Sequence, residues 1–312
     1  MGIRTRIIID FDGTLTAEER QATRLGGRSL DTLADILAPA TGQERDHLRQ
    51  SLETAYRAAR REILAHSELG GWEVSGLLAS YGDEGAFILN TSAIQLLLAS
   101  LLRRHPAAVD ALEAALPARE YGLVEDTSNY LFHRHTAEFP PLFRPEAREV
   151  LVALLEREDC EPVVLTNSLG DKVERLLATL DLPRPLRILG DTRQYEMVED
   201  WEPPVDANAY SGPGPAPWQP PWLWSADEGH LIDLRRPAYY RALVEAGRDG
   251  ACLAVVADTL SLPGALPMAM GIPFYLLHTP YTPDWVLRAV GRHPCGHVLD
   301  RLRDLPAAVG CA

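Results

Sequence analysis

Asp10 and Asp12 stand two positions apart at the end of Ile7-Ile8-Ile9, and Gly13-Thr14-Leu15-Thr16 follows them. Three β-branched residues in a row read as a buried strand, and Gly13 marks where the chain leaves it. A spacing of two puts both carboxylates on the same side of a strand end. Two carboxylates held close in the mouth of a fold are costly unless a cation sits between them. A divalent metal, a phosphate-binding cation, or both would meet that cost. A calcium loop is excluded, because it needs glycine at its sixth position and glutamate at its twelfth. Counted from Asp10, the glycine here is fourth and the twelfth residue is Gln21. The plain alternative is a strand that ends in an acidic turn, so the pair needs support from the rest of the chain.

That support comes from further strands. Pro162-Val163-Val164-Leu165 runs into Thr166-Asn167-Ser168, and Cys252 to Ala257 runs into Asp258. Leu186 to Leu189 and Phe274 to Leu277 also read as strands, each separated from the next by a helical pattern or loop. Alternation of this kind predicts an α/β fold with a doubly wound parallel sheet. Ligands of such sheets bind at the carboxyl ends of strands, where the strand order reverses. Asp10, Thr166 and Asp258 are expected to converge there.

Between the first and second strands the pattern is helical. Leu30 to Leu37, Arg45 to Ala65, Ala86 to Arg104 and Ala107 to Leu116 place apolar residues three and four apart. Gly26-Gly27, Pro39, Gly42, Gly70-Gly71, Gly82-Asp83 and Pro106 read as stops. The expectation is an all-helical inserted domain over 17–142, set into a core of 1–16 and 143–312. Tyr130 to Phe143 leads out of it, either as an aromatic hinge or as a segment presenting His133, Arg134 and His135 to a substrate. Within the core, 200–230 stands apart: it carries Gly212-Pro213-Gly214-Pro215-Ala216-Pro217 and four of the six tryptophans. Proline argues against regular structure there and tryptophan against disorder, so an ordered loop pinned by its aromatics is expected.

Composition narrows the function. A formal charge of -14 leaves no basic surface to dominate a nucleic-acid backbone. The cysteines Cys160, Cys252, Cys295 and Cys311 lack the spacing of a zinc site or a disulfide framework. The most apolar stretch, Ala93 to Leu102, is shorter than a membrane span, and the amino terminus leaves no room for an apolar leader. A cytoplasmic protein with neither a nucleic-acid nor a membrane partner is expected.

The run Asp10-Phe11-Asp12-Gly13-Thr14-Leu15-Thr16 resembles the first motif of the haloacid dehalogenase superfamily in its phosphatase form. Val163-Val164-Leu165-Thr166 resembles the second motif. Arg236-Pro237 stands where a lysine, often followed by proline, forms the third, with Lys172 as the competing cation. Ala254-Val255-Val256-Ala257-Asp258 resembles the fourth, but Leu262 and Pro263 occupy the positions of its second acid. The resemblance covers 1–16 and 145–290, and it implies that the helical insertion is a cap. It also implies a magnesium-dependent phosphatase acting on a small phosphorylated metabolite. Asp10 would be the nucleophile and Asp12 the acid and base. Thr166, Asn167 and Arg236 would bind phosphate, while Asp10, the Asp12 carbonyl and Asp258 would hold Mg2+. The altered third and fourth motifs leave a second reading, a weak or inactive descendant that binds a phosphorylated ligand. Halide displacement fits poorly, since that branch does not keep an acid at the position of Asp12.

Overall fold

The computed structural model describes residues 5–74, 76–117, 120–227 and 229–309; Cys311 and the outermost residues of the expected core lie outside them. Six strands form one parallel sheet: β1 Thr5–Ile9, β2 Cys160–Leu165, β3 Arg187–Leu189, β4 Cys252–Ala257, β5 Phe274–Leu277 and β6 Gly296–Leu299. Their order is β6-β5-β4-β1-β2-β3. β1 is central, and its neighbours lie in matched register: Ile9 sits opposite Val164 on one side and Val256 on the other. The chain builds outward to β3, then crosses back over β1 to start β4. The order therefore reverses between β1 and β4, the crevice where such sheets bind ligands.

Side chains alternate across the sheet. Ile7, Ile9, Val164 and Val256 join Val150, Leu154, Val173 and Leu177 of the helices Ala147–Leu155 and Gly170–Ala178 in one apolar cluster. Ile8, Val163 and Val255 point the other way and are equally buried. Burial on both faces explains why these strands read as continuous apolar runs.

The chain divides into two compact units, one of Met1–Ala17, Glu73–Ser80 and Phe143–Ala312, the other of Glu18–Trp72 and Tyr81–Leu142. The second unit is built from the helices Glu18–Thr41, Arg45–Ala65, Ala86–Arg104, Ala107–Ala115 and Leu123–Thr136. Leu33, Leu37, Leu52, Leu97, Leu98 and Leu131 meet in its core. Helix Ala86–Arg104 is long and apolar enough to cross a bilayer, longer than the stretch Ala93 to Leu102 suggested, and half of it is buried in this unit.

Two expectations about the insertion are corrected. The insertion is not all helical: Gly71–Val74 and Leu77–Tyr81 form a two-stranded sheet, and its residues Glu73–Ser80 group with the sheet unit. Gly26-Gly27 breaks nothing, because Glu18–Thr41 is one helix that also runs through Pro39. A Cβ on Gly26 would lie 2.7 Å from Asn90 Oδ1 and 2.9 Å from the Tyr56 hydroxyl, so the glycine admits a close helix–helix approach. Tyr56 donates to Asn90 Oδ1 at 2.7 Å across that contact. Helix Leu123–Thr136 takes in the first half of Tyr130 to Phe143, and His135 is buried within its unit, bonded to Thr32 Oγ1 at 3.0 Å and Glu138 at 3.1 Å.

The Pro/Trp segment is more regular than a loop. Trp218–Gln219, Leu223–Ser225 and Leu231–Asp233 make a small antiparallel sheet. Trp218 and Trp224 are buried with Tyr210 around the ring of His293. The Cys295 N–H donates to His293 Nδ1 at 3.2 Å, which makes that nitrogen the acceptor of a neutral ring. Burial pushes the His293 pKa down to about 4. Between roughly pH 6.5 and 4 the unfolded chain thus binds a proton that the native ring refuses, so stability falls as pH falls. From pH 7 to 5 that loss is expected to be about 2 kcal/mol, and a His293→Phe variant should show a correspondingly flatter dependence in denaturant melts. Equal slopes in the two proteins would refute the assignment.

Candidate active site at the sheet's carboxyl edge

The end of β1 is carried one bond further by the Asp10 N–H, which donates to Val256 O at 3.0 Å. The chain then makes a single wide turn over Phe11–Leu15, closed by the Thr16 N–H on Phe11 O at 3.1 Å. Gly13 has φ +79°, a conformation that side-chain-bearing residues rarely adopt. Thr16 Oγ1 accepts from Gly13 N at 3.3 Å and donates to Phe11 O at 3.3 Å. Arg144 grips the same turn from outside, its Nε on Thr14 O at 3.1 Å and its main-chain N–H on Leu15 O at 2.9 Å. Phe11 is buried in the core, while Asp10 and Asp12 on either side of it stay partly exposed.

Asp258 follows β4 and is buried against this turn. A Cβ on Gly13 would fall 2.2 Å from Asp258 Oδ2. Thr14 Oγ1 lies 3.4 Å from Asp258 Oδ1. Glycine is therefore required at position 13 twice over, by its backbone angle and by the carboxylate that replaces its side chain. Leu262 and Pro263, where a second acid was sought, are buried apolar residues. Among the described residues no group of three or more His, Cys, Asp or Glu side chains is arranged to hold a metal. Asp10 and Asp258 offer hard oxygen donors from adjacent strands, the kind magnesium takes one or two at a time alongside water and ligand phosphate. The donor set fits Mg2+ on those terms.

Thr166 is buried at the end of β2. Its hydroxyl accepts from the Ser168 N–H at 3.1 Å, and its carbonyl takes Thr192 N–H at 3.1 Å and Thr192 Oγ1 at 2.8 Å. Asn167 Oδ1 accepts from Gln194 N–H at 2.7 Å, which orients the side-chain amide. Ser168, which sequence reasoning passed over, donates its hydroxyl to Asp12 Oδ2 at 2.9 Å. Burial raises the Asp12 pKa above the ordinary carboxylate range, while the Ser168 hydrogen bond and the positive charge of Lys172 oppose the rise. Position Ser168 was legible only as the third residue of Thr-Asn-Ser.

The two candidate cations occupy different places. Lys172, in the first turn of helix Gly170–Ala178, acts electrostatically on Asp12. Arg236, just before helix Pro237–Gly247, is buried and spends Nε on Asp233 O at 3.0 Å, Nη1 on Gln194 O at 3.0 Å and Nη2 on Ala79 O at 2.7 Å. Nε, Nη1 and Nη2 are thus each anchored to a main-chain carbonyl, which fixes the plane of the guanidinium. Tyr239, also missed from sequence, is fully buried, and its hydroxyl has no hydrogen-bond partner among the described residues. Burial pushes its pKa well up, the charge of Asp10 adds to the rise and that of Arg236 opposes it, which places both charges near the phenol.

No protein-family model matches the sequence, and no curated protein matches it. Solved structures with a loose overall likeness include a HAD-superfamily hydrolase, subfamily IA, variant 1, from Geobacter sulfurreducens, with 15% identity, 99% of this chain and 97% of that one covered, and a TM-score of 0.41. A predicted phosphoglycolate phosphatase from Haemophilus somnus gives 15%, 99% of each chain and 0.43. A 2-haloacid dehalogenase from Pseudomonas syringae gives 13%, 99% of each chain and 0.42. Likeness at this level assigns no activity, so the chemistry rests on the residues of this chain.

Two outcomes follow from the geometry. Gly13→Ala should cost about 1–3 kcal/mol of stability, because the methyl group meets the Asp258 carboxylate and φ is positive. A melt within a few tenths of wild type would refute the tight approach. Ser168→Ala should raise the Asp12 pKa further, read by carbon-13 NMR titration of labelled aspartates; an unchanged or lower value would remove Ser168 from the site.

Proposed function

We propose that the chain is a magnesium-dependent phosphatase of a small phosphomonoester, working through an aspartyl-phosphate on Asp10. The observation that carries this reading is the apposition of Asp258 to the Gly13 turn at the strand-order reversal, with Asp12 held by Ser168 beside it. Asp10 extends from the central strand with its main chain fixed, and its carboxylate oxygen attacks phosphorus. Asp12, whose pKa burial raises, gives a proton to the departing oxygen. Once ionised, it takes a proton from the water that releases phosphate from Asp10. The Ser168 hydroxyl and Lys172 hold that carboxylate in place and limit how far its pKa climbs. Thr166 and the Asn167 amide face the phosphoryl oxygens with donors that add no negative charge. Bound Mg2+, held by Asp10, Asp258 and the Asp12 carbonyl, would neutralise the charge gathered there. Lys172 takes the cationic role that the sequence offered to Arg236, and Arg236 anchors the segment around it.

A second reading draws on Leu262 and Pro263, which put apolar bulk where another acid would strengthen metal binding. On that reading the chain binds a phosphorylated ligand and turns it over slowly or not at all.

A screen of phosphorylated metabolites with and without magnesium separates the two. The phosphatase reading expects metal-dependent phosphate release that Asp10→Asn abolishes. It expects Asp12→Asn to lose on the order of 10² to 10⁴ in rate. Lys172→Met should lose roughly 10² or more, if its charge stabilises the phosphoryl group. Release that survives Asp10→Asn would overturn the mechanism. Magnesium-dependent binding without release would favour the second reading.

A further inference from the structure

One buried polar group of the sheet unit takes no part in the reaction proposed for Asp10. Tyr239 is fully buried, and its hydroxyl has no hydrogen-bond partner among the described residues. Such groups are uncommon, because a buried donor without an acceptor forfeits the bonds that water gave it. Two anchors fix where the ring lies. On β1, Ile8 points away from the cluster that holds Ile7 and Ile9, and alternation puts Arg6 and Asp10 on the same face as Ile8. Asp10 keeps extended backbone, φ -68° and ψ 153°, so the alternation runs through it. Arg6 Nη1 donates to Ala246 O near the far end of helix Pro237–Gly247. That helix therefore lies over the face of β1 that carries Asp10. Its start is held beside the Thr-Asn-Ser loop: Arg236 Nη1 donates to Gln194 O at 3.0 Å, and Gln194 N–H donates to Asn167 Oδ1 at 2.7 Å.

The helix runs against β1, and the spacing along each sets the level of Tyr239. Tyr239, Leu243 and Ala246 share the buried face, at i, i+4 and i+7. From Ala246 back to Tyr239 is seven residues, roughly 10 Å along a helix. From Arg6 on to Asp10 is four residues, roughly 13 Å along a strand. The two therefore stand within about one residue of the same level. A helical side chain also leans towards the amino end of its helix, which here is the carboxyl edge of the sheet and the side of Asp10. The charges of Asp10 and Arg236 both reach the phenol. Only the carboxylate is an acceptor, since a guanidinium has none to offer. We propose, on the phosphatase reading above, that Tyr239 is a positioning residue for Asp10, its hydroxyl donating to one carboxylate oxygen while the other attacks phosphorus. The hydroxyl gains this partner when the carboxylate turns to meet the substrate, so the contact belongs to the transition state. In that step the Asp10 oxygen bonds to phosphorus, the bond from phosphorus to the departing oxygen breaks, and Asp12 gives that oxygen its proton. Tyr239 keeps its own proton throughout.

Tyr239→Phe removes the oxygen and keeps the ring. The variant is expected to melt no lower than the wild type, since the hydroxyl has no bond to lose. Release of nitrophenol from para-nitrophenyl phosphate with magnesium, in steady state and in a single turnover, reads its effect. The expected result is a kcat roughly tenfold lower or more with KM within about threefold, the pattern of a contact made only in the transition state. The single-turnover rate should fall by the same factor, because nitrophenol leaves as Asp10 takes the phosphoryl group. An unchanged kcat in Tyr239→Phe, beside wild-type release that Asp10→Asn abolishes, would overturn the role of Tyr239 and leave the phosphatase reading standing. So would a lost kcat accompanied by a melting temperature several degrees lower, which would make the hydroxyl a structural group. No release from the wild type that depends on magnesium and Asp10 would overturn both readings together.

Discussion

A carboxylate lying where a side chain would otherwise be is the constraint on which this site depends. Asp258 fills the space that any Cβ on Gly13 would need. That contact exists only because β1 and β4 are neighbours in fixed register and both chains leave the sheet at the same level. The bonds around it serve the same end. Thr16 and Arg144 keep the turn from opening, and the Asp10 N–H ties its start to β4. Slippage of either strand by one residue would reverse its side chains and carry the acid to the far face.

Electrostatics sets the second condition. Burial raises the Asp12 pKa, and the positive charge of Lys172 opposes that rise. Two cations are supplied, of different character. Arg236 is rigid, buried and held by three carbonyls, one of them Ala79 on the two-stranded sheet. Lys172 stands in the first turn of a helix on a flexible stem, and its charge acts on Asp12. The arginine shapes the surroundings and the lysine answers the acids.

The strands that carry the site were legible because they are buried on both faces. Ile7-Ile8-Ile9, Val163-Val164-Leu165 and Ala254 to Ala257 announce themselves as apolar runs, and the polar residue ending each run lies at the carboxyl edge of the sheet. The two-stranded sheet of Gly71–Val74 and Leu77–Tyr81 was not legible. Its strands are short, the first has no buried residue, and Ala79 on the second accepts a hydrogen bond from Arg236, 157 residues away. Gly26 misled for a related reason: glycine in a helix signals either a break or a close approach, and only Asn90 and Tyr56 decide which. The charge on Arg236 could be read from sequence, but its commitments to three carbonyls could not. Ser168 has no signature of its own, because a hydroxyl gains its role from the acid it faces.

Lys172 is the only lysine in the chain. Its charge acts on Asp12, so the one side-chain amine of the sequence is coupled to that acid. An amine-directed label would therefore mark a single side chain, within electrostatic reach of the acid it is meant to report on.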